Sequence, residues 1–289
     1  MDSIDKPKKK GQFYEVWRRL KKRKTAIFGL VILSILILMA VFAEQIIPYS
    51  KALEMSAVDR LQPPSAKHIF GTDAFGRDLF ARVLHGARRS LTIGFAATGG
   101  ALFFGWLIAS IVSYYGGRVD NTIMRLMDII ASIPMTLMAL AIVSALGTNI
   151  TNLIIAIAIA RIPTFARVIR SSMLNISDME FIEAAHAGGA SPLRIIVKHM
   201  TPNVAGTILV QTTMTTAQLI LIAASLSFLG LGVQLPTPEW GGLLSEAREF
   251  MRTTPYLMVF PGVFMILTSL SLNLLGDGLR DALDPKLKT

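Results

Sequence analysis

The sequence predicts an all-α membrane protein with six transmembrane helices and one structured loop on the cytoplasmic side. Three observations point there. Of 289 residues, 52% are hydrophobic and only 17% charged, and the mean hydropathy is +0.54; a soluble domain needs more polar surface than this. The apolar residues lie in continuous runs of about 20, the length a helix needs to cross a bilayer. Barrel strands would instead alternate over about 10 residues.

The first run, Thr25–Ala43, follows a basic stretch from Lys6 to Lys24. That order resembles a signal peptide. The run is too long for a signal core, however, and Glu44-Gln45-Ile46-Ile47-Pro48 offers no small-residue cleavage site, so it reads as an uncleaved span. The second run is Leu91–Tyr115, rich in Gly and Ala, with Gly94, Gly99, Gly100 and Gly105 read as close-packing positions. The third is about Met127–Leu146. The fourth is about Ile150–Ile169, with Arg161 and Arg167 in its last turns. The fifth is about Val204–Leu229 and the sixth about Tyr256–Leu275. Before the second span, Gly76–Arg89 reads as a separate short amphipathic helix, with Leu79, Phe80, Val83 and Leu84 on one face and Arg82 and Arg89 opposite.

With the N-terminus inside, segments 1–24, 116–126, 161–203 and 276–289 carry 20 Lys and Arg. The outer segments 44–90 and 230–255 carry 9. This asymmetry predicts both termini in the cytoplasm. The net charge of +10 then needs no nucleic acid: Lys8-Lys9-Lys10 and Arg18 to Lys24 serve orientation and anionic lipid. The absence of cysteine excludes disulfides, a thiolate nucleophile and cysteine metal sites. Gly-x4-Gly-Lys-Ser/Thr, His-Glu-x-x-His and Gly-x-Ser-x-Gly are missing, so nothing supports ATP binding by a phosphate loop, zinc proteolysis or a serine nucleophile.

The inner loop 171–203 is dense in helix signals. Ser177 with Glu180 reads as a capping box, opening a helix from Asp178 to Ala187 that Gly188-Gly189 ends. Ser191-Pro192 opens a second helix to about Met200, stopped by Pro202. Its apolar stripe is Leu193, Ile196, Val197 and Met200. Two readings stay open on pattern alone: docking to another protein, or packing on the chain's own membrane part. Within the spans, Arg125 and Asp128 read as an i, i+3 ion pair. Gln211, Thr212, Thr213, Thr215, Thr216 and Gln218 make the fifth span polar. They either line a translocation path, for which Gln211, Thr215 and Gln218 are the candidates, or hydrogen-bond between helices. Trp106 and Trp240 read as packing or interface anchors.

Glu183-Ala184-Ala185, three residues and Gly189 resemble the EAA motif of ABC importer permeases. The wider run Glu183–Asn203 is similar to the form in dipeptide, oligopeptide and nickel permeases, with Thr201 where those carry leucine. Further matches follow in order. They are Gly71-Thr72-Asp73, Gly76-Arg77-Asp78, Gly86-Ala87-Arg88, the run from Leu226 to Gly232, Pro236-Thr237-Pro238, Trp240-Gly241, Phe260-Pro261-Gly262 and the tail from Asn273 to Pro285. The set resembles the C-type subunit of a permease heterodimer.

The resemblance implies an alternating-access importer of di- or oligopeptides, or of nickel or another metal chelate, in the cytoplasmic membrane of a prokaryote. It implies Glu183, Ala184, Ala185 and Gly189 as ATPase-coupling residues. The implied partners are a B-type permease subunit, two ATP-binding subunits that hold ATP-Mg, and an extracytoplasmic solute-binding protein. The chain itself would bind no cofactor and do no covalent chemistry; a membrane enzyme or stand-alone channel is the contrasting class. The expected organisation is a basic segment 1–24, a first span with outer loop 25–90, a permease core 91–275 containing the coupling loop 176–203, and a tail 276–289.

Overall fold

The computed structural model describes residues 17–283. Among the described residues the structure is helical, with one isolated bridge between Thr72 and Asp78. The basic run Lys8–Lys10 and the tail residues Asp284 and Pro285 lie outside the described residues.

Helix α1, Lys24–Val41, is the first span. Short helices Ala43–Ile46 and Tyr49–Leu53 lead from it into the outer loop. Helix α2, Leu79–Tyr115, runs unbroken for 37 residues, about 55 Å at 1.5 Å per residue, far more than the roughly 30 Å bilayer core. The separate amphipathic helix expected at Gly76–Arg89 is therefore the first turns of α2. Asp78 caps it, accepting from Ala81 N at 2.9 Å. Arg82 does not face out opposite the apolar residues: it is 1% exposed.

The expected third span is two helices, α3 (Gly117–Ala131) and α4 (Met135–Leu146), meeting at 82°. Pro134 explains the break. It has no N–H to continue the ladder, and its ring disfavours the helical region for the residue before it. Asp128 on α3 pairs with Arg167 at 2.7 Å rather than with Arg125. Asp120 on α3 holds Arg170 through both carboxylate oxygens. Both arginines sit on α5, Ile150–Ser177. This helix continues past the expected end at Ile169, so Arg161 and Arg167 lie in its interior. Pro163 is absorbed inside it, as membrane helices allow when neighbours re-satisfy the freed carbonyl.

After α6 (Glu180–Ala187), residues Pro192–Phe228 form one continuous helix, α7. Pro202 does not end the second loop helix as expected. Ile195–Met200 widens into a π turn, and Thr201 N bonds back to Ile196 O. The widened register removes the need for the bond that Pro202 cannot donate. Helix α8, Trp240–Ala247, sits outside the spans, and α9, Tyr256–Leu283, is the last. Thus α1, α2, α5, α7 and α9 are each long and apolar enough to cross a membrane, and α3 with α4 makes a sixth if the bent pair is one span.

Helix α2 is the spine, packed along α5 on one side and α7 on the other. Glycine sets the closeness of both contacts. A side chain at Gly94 would overlap Ile220, and one at Gly105 would overlap Phe165. Gly99 faces open space and Gly100 has ordinary contacts, so only two of the four expected glycines serve this purpose.

Candidate functional site

The loop that carries α6 lies between the end of α5 and the start of α7. Helix α6 ends in a motif that satisfies its free carbonyls. Ala190 N bonds to Ala185 O at 3.0 Å and Gly189 N to His186 O at 2.9 Å. This 6→1, 5→2 pair requires a left-handed residue at the turn, and Gly189 supplies it with φ +71°. The expected capping box is absent. Ser177 is the last residue of α5, and its hydroxyl bonds to Leu174 O at 2.9 Å; Met179 takes the N-cap position of α6 without a side-chain bond.

One face of the loop is anchored. Ile182, Ile195, Ile196 and Met200 are buried against Phe165, Ile169 and Met173 of α5, and His186 stacks on Tyr114 at the end of α2. The expected stripe is thereby corrected. Ile195 is fully buried, while Leu193 is 69% and Val197 46% exposed; of the expected stripe only Ile196 and Met200 are buried. The other face is open: Met179, Phe181, Leu193 and Val197 are exposed apolar side chains around Glu183, Ala184 and Gly189, with Ala185 half-buried. The loop thus presents exposed apolar side chains on the face it does not use for packing. Gly189→Ala forces a methyl group into the left-handed region, about 1–2 kcal/mol of strain. The expected result is a loop cleaved faster by limited proteolysis. Gly188→Ala, at φ −75°, should be milder.

Along α7, the fifth-span polar residues divide by role. Thr212, Thr213 and Thr216 return their hydroxyls to the carbonyls four residues back, a local bond that needs no path. Thr215 is fully buried. It accepts from Gln211 Nε2 at 3.2 Å and, at 3.5 Å, from Arg161. Gln218 is exposed and accepts from Arg161 Nη2 at 2.6 Å. Thr207, Gln211, Gln218 and Ser225 fall within about 40° of one line along α7 at 3.6 residues per turn, on the side this chain leaves uncovered, Gln211 half so. Arg161 was not singled out by sequence reasoning as part of this group. The available signal was an arginine inside an apolar run.

The end of the bundle opposite the α6 loop carries a buried charge cluster that sequence reasoning missed. Asp73 accepts from Arg77 Nε at 2.7 Å and Arg82 Nη1 at 2.6 Å. Glu246, on α8, takes the same two guanidinium groups at 2.8 and 2.6 Å. Glu239, 1% exposed, caps α8 by accepting from Gly241 N and Gly242 N and also accepts from Ser90. Trp240 is fully buried, donating to Val83 O at 3.0 Å, so it is a core anchor rather than an interface belt residue. Trp106 donates to Thr201 at 3.0 Å. In the surface part of this loop, the hydrogen bond from Lys67, seconded by Ser56, holds the Asp59 carboxyl below the usual carboxylate range. Its contribution is complete above the ordinary carboxylate value and is lost only as pH falls through the lowered one.

Together these features define a helical membrane protein with five to six spans and a structured loop that leaves one face exposed. Residues 101–289 match the family described as binding-protein-dependent transport system inner membrane component, and residues 11–64 match the N-terminal TM domain of oligopeptide transport permease C. The chain belongs to this family: it is a multi-pass ABC transporter permease of the inner membrane, not an enzyme. Among its relatives, the dipeptide transport system permease protein DppC of Alkalihalophilus pseudofirmus is 48% identical over 275 residues, 95% of this chain and 90% of the relative. The glutathione transport system permease protein GsiD of Escherichia coli is 44% identical over 276 residues, covering 96% and 91%. Solved structures of the MetNI methionine ABC transporter in inward-facing conformations share the fold. One superposes with a TM-score of 0.56 over 70% of this chain and 97% of that one, at 18% identity. A permease of this family works with an ATPase and a binding protein.

Proposed function

We propose that this chain is the C-type permease subunit of an importer of di- and oligopeptides. It pairs with a B-type permease, with two ATPase subunits that hold ATP-Mg, and with an extracytoplasmic solute-binding protein; it binds no cofactor itself. The observation that carries the reading is the inner loop, anchored on one face and open on the other, on a chain 48% identical to a dipeptide permease. Glu183, Ala184, Ala185 and Gly189 form the coupling surface. ATP-driven closure of the ATPase pair moves this loop, and α7, continuous with it through the π turn, carries the motion into the membrane. That continuity supports a lever of one piece from Pro192 to Phe228.

Gln211 and Gln218 line the path. A polar stripe on an uncovered membrane helix must meet protein or water, because lipid does not satisfy it; the second permease supplies the opposite wall. Thr215 holds Gln211 and Arg161 in place behind the stripe. Both termini are cytoplasmic, from the distribution of Lys and Arg. The division into segments 1–24, 25–90, 91–275 and 276–289 follows that topology, with the loop 176–203 as coupling element.

Peptide is preferred to nickel or another chelate as cargo because the named relatives carry a dipeptide and glutathione, a tripeptide. The test is uptake into vesicles bearing the whole complex. Labelled dipeptide should accumulate with ATP and receptor, and nickel chelate should not. Accumulation of the chelate alone would overturn the cargo while leaving the permease class in place.

A further inference from the structure

Helix α5 carries three arginines along its length, and the structure treats them differently. Arg167 faces Asp128 and Arg170 faces Asp120. Arg161 meets neutral acceptors, the side chains of Gln218 at 2.6 Å and Thr215 at 3.5 Å, and its Nε is buried with no hydrogen-bond partner among the described residues. Among those residues no carboxylate forms an ion pair with it.

Its depth makes this consequential. Arg161 is eleven residues from the start of α5, and Gln218 ten from the end of α7. At 1.5 Å per residue the two lie about 15–17 Å from those ends, near the middle of a bilayer core roughly 30 Å thick. A guanidinium held there without a counter-charge is costly and marks a functional position. The group is not sealed inside the bundle. Gln218, to which it donates, is exposed on the polar stripe of α7, so the guanidinium reaches the uncovered face of the chain.

We propose that Arg161 is an anion-recognition point of the translocation path, taking the carboxylate of the solute as it crosses. This rests on the path reading of Gln211 and Gln218. A carboxylate arriving along the stripe displaces the Gln218 amide oxygen and accepts two N–H bonds from the planar guanidinium fork, a stronger pairing than a neutral acceptor gives. Every unmodified peptide carries such a group at its C-terminus. The site would therefore recognise what all peptides share and ignore the side chains in which they differ. A carboxylate of the second permease subunit is the other source of the same chemistry.

The experiment compares uptake of a dipeptide and its C-terminal amide by the complete complex in proteoliposomes, with receptor loading verified for each. The receptor's own preference, and any loss of active protein, cancel in the acid-to-amide ratio. Arg161→Met is expected to lower uptake of the free acid about tenfold while changing the amide less than about twofold, a lost charge-assisted contact of about 1.4 kcal/mol by the tenfold conversion. Arg161→Lys should restore part of the ratio, and Arg161→Gln should behave as Met does. An unchanged ratio overturns the proposal. So does failure of the Met variant to co-purify with the second permease, which would assign the carboxylate to that subunit. Gln218→Ala separates the two levels of the argument. If it lowers uptake of both peptides while the Arg161→Met ratio stays unchanged, the path stands and the anion site falls. If neither substitution affects either peptide, the path reading itself falls.

Discussion

Replacing Glu183 by alanine is expected to cut ATP-driven uptake at least about tenfold while membrane insertion and thermal stability stay unchanged. The side chain is exposed and forms no ion pair among the described residues, so the fold loses little when it is removed. On the coupling role proposed for it, the cost falls on the interface with the ATPase. Truncating one partner of a desolvated charge pair across an interface costs roughly 2–5 kcal/mol, and every 1.4 kcal/mol is about tenfold. Membrane fractionation checks insertion, and uptake at saturating peptide checks coupling. Uptake at the wild-type rate would remove Glu183 from the coupling surface. The exposed apolar residues around it, Phe181 and Leu193, give a second handle on the same surface: Leu193→Asp should weaken co-purification of the ATPase subunits.

The second large effect is expected at the outer end of the molecule. Asp73→Asn keeps the shape of the side chain but leaves two buried guanidinium groups with one carboxylate, Glu246, between them. Breaking a buried pair by removing one partner costs about 3–5 kcal/mol. For a chain of this size that lowers the unfolding midpoint by roughly 10 °C, measurable in detergent. Combining Asp73→Asn with Arg82→Met should cost less than the sum of the two, since the double variant no longer strands an unpaired charge. Simple additivity would show that the cluster does not act as a unit. The cluster ties distant parts of the chain together. Arg77, just ahead of α2, and Arg82, in its first turns, are bound to α8 just before the last span. Loosening them frees the start of α2 from α8.

The spans were legible because a bilayer imposes one requirement, an apolar run long enough to cross it, and five such runs became single helices. The turn at Gly188-Gly189 was legible too, since a left-handed residue at a helix end is a local need. What failed was local punctuation overridden by its surroundings. Pro134 broke a span that hydropathy had joined, whereas Pro202 broke nothing because the preceding turn widened to take it. Ser177 looked like the start of one helix and was the end of another. The charged residues were least legible. Arg77 and Arg82 find Glu246 across separations of 169 and 164 residues, and no spacing rule reaches so far. Arg161 went unrecognised for the same reason: its partners lie on a helix more than fifty residues away.

The central claim is that this chain couples peptide passage to ATP hydrolysis on a separate subunit. The most direct test is the ATPase rate of the gently extracted complex in lipid discs, with and without its solute-binding protein loaded with dipeptide. The account predicts that an ATPase co-purifies and that peptide-loaded receptor stimulates it, with stimulation lost in Glu183→Ala. No co-purifying ATPase, or a hydrolysis rate indifferent to loaded receptor, would contradict it.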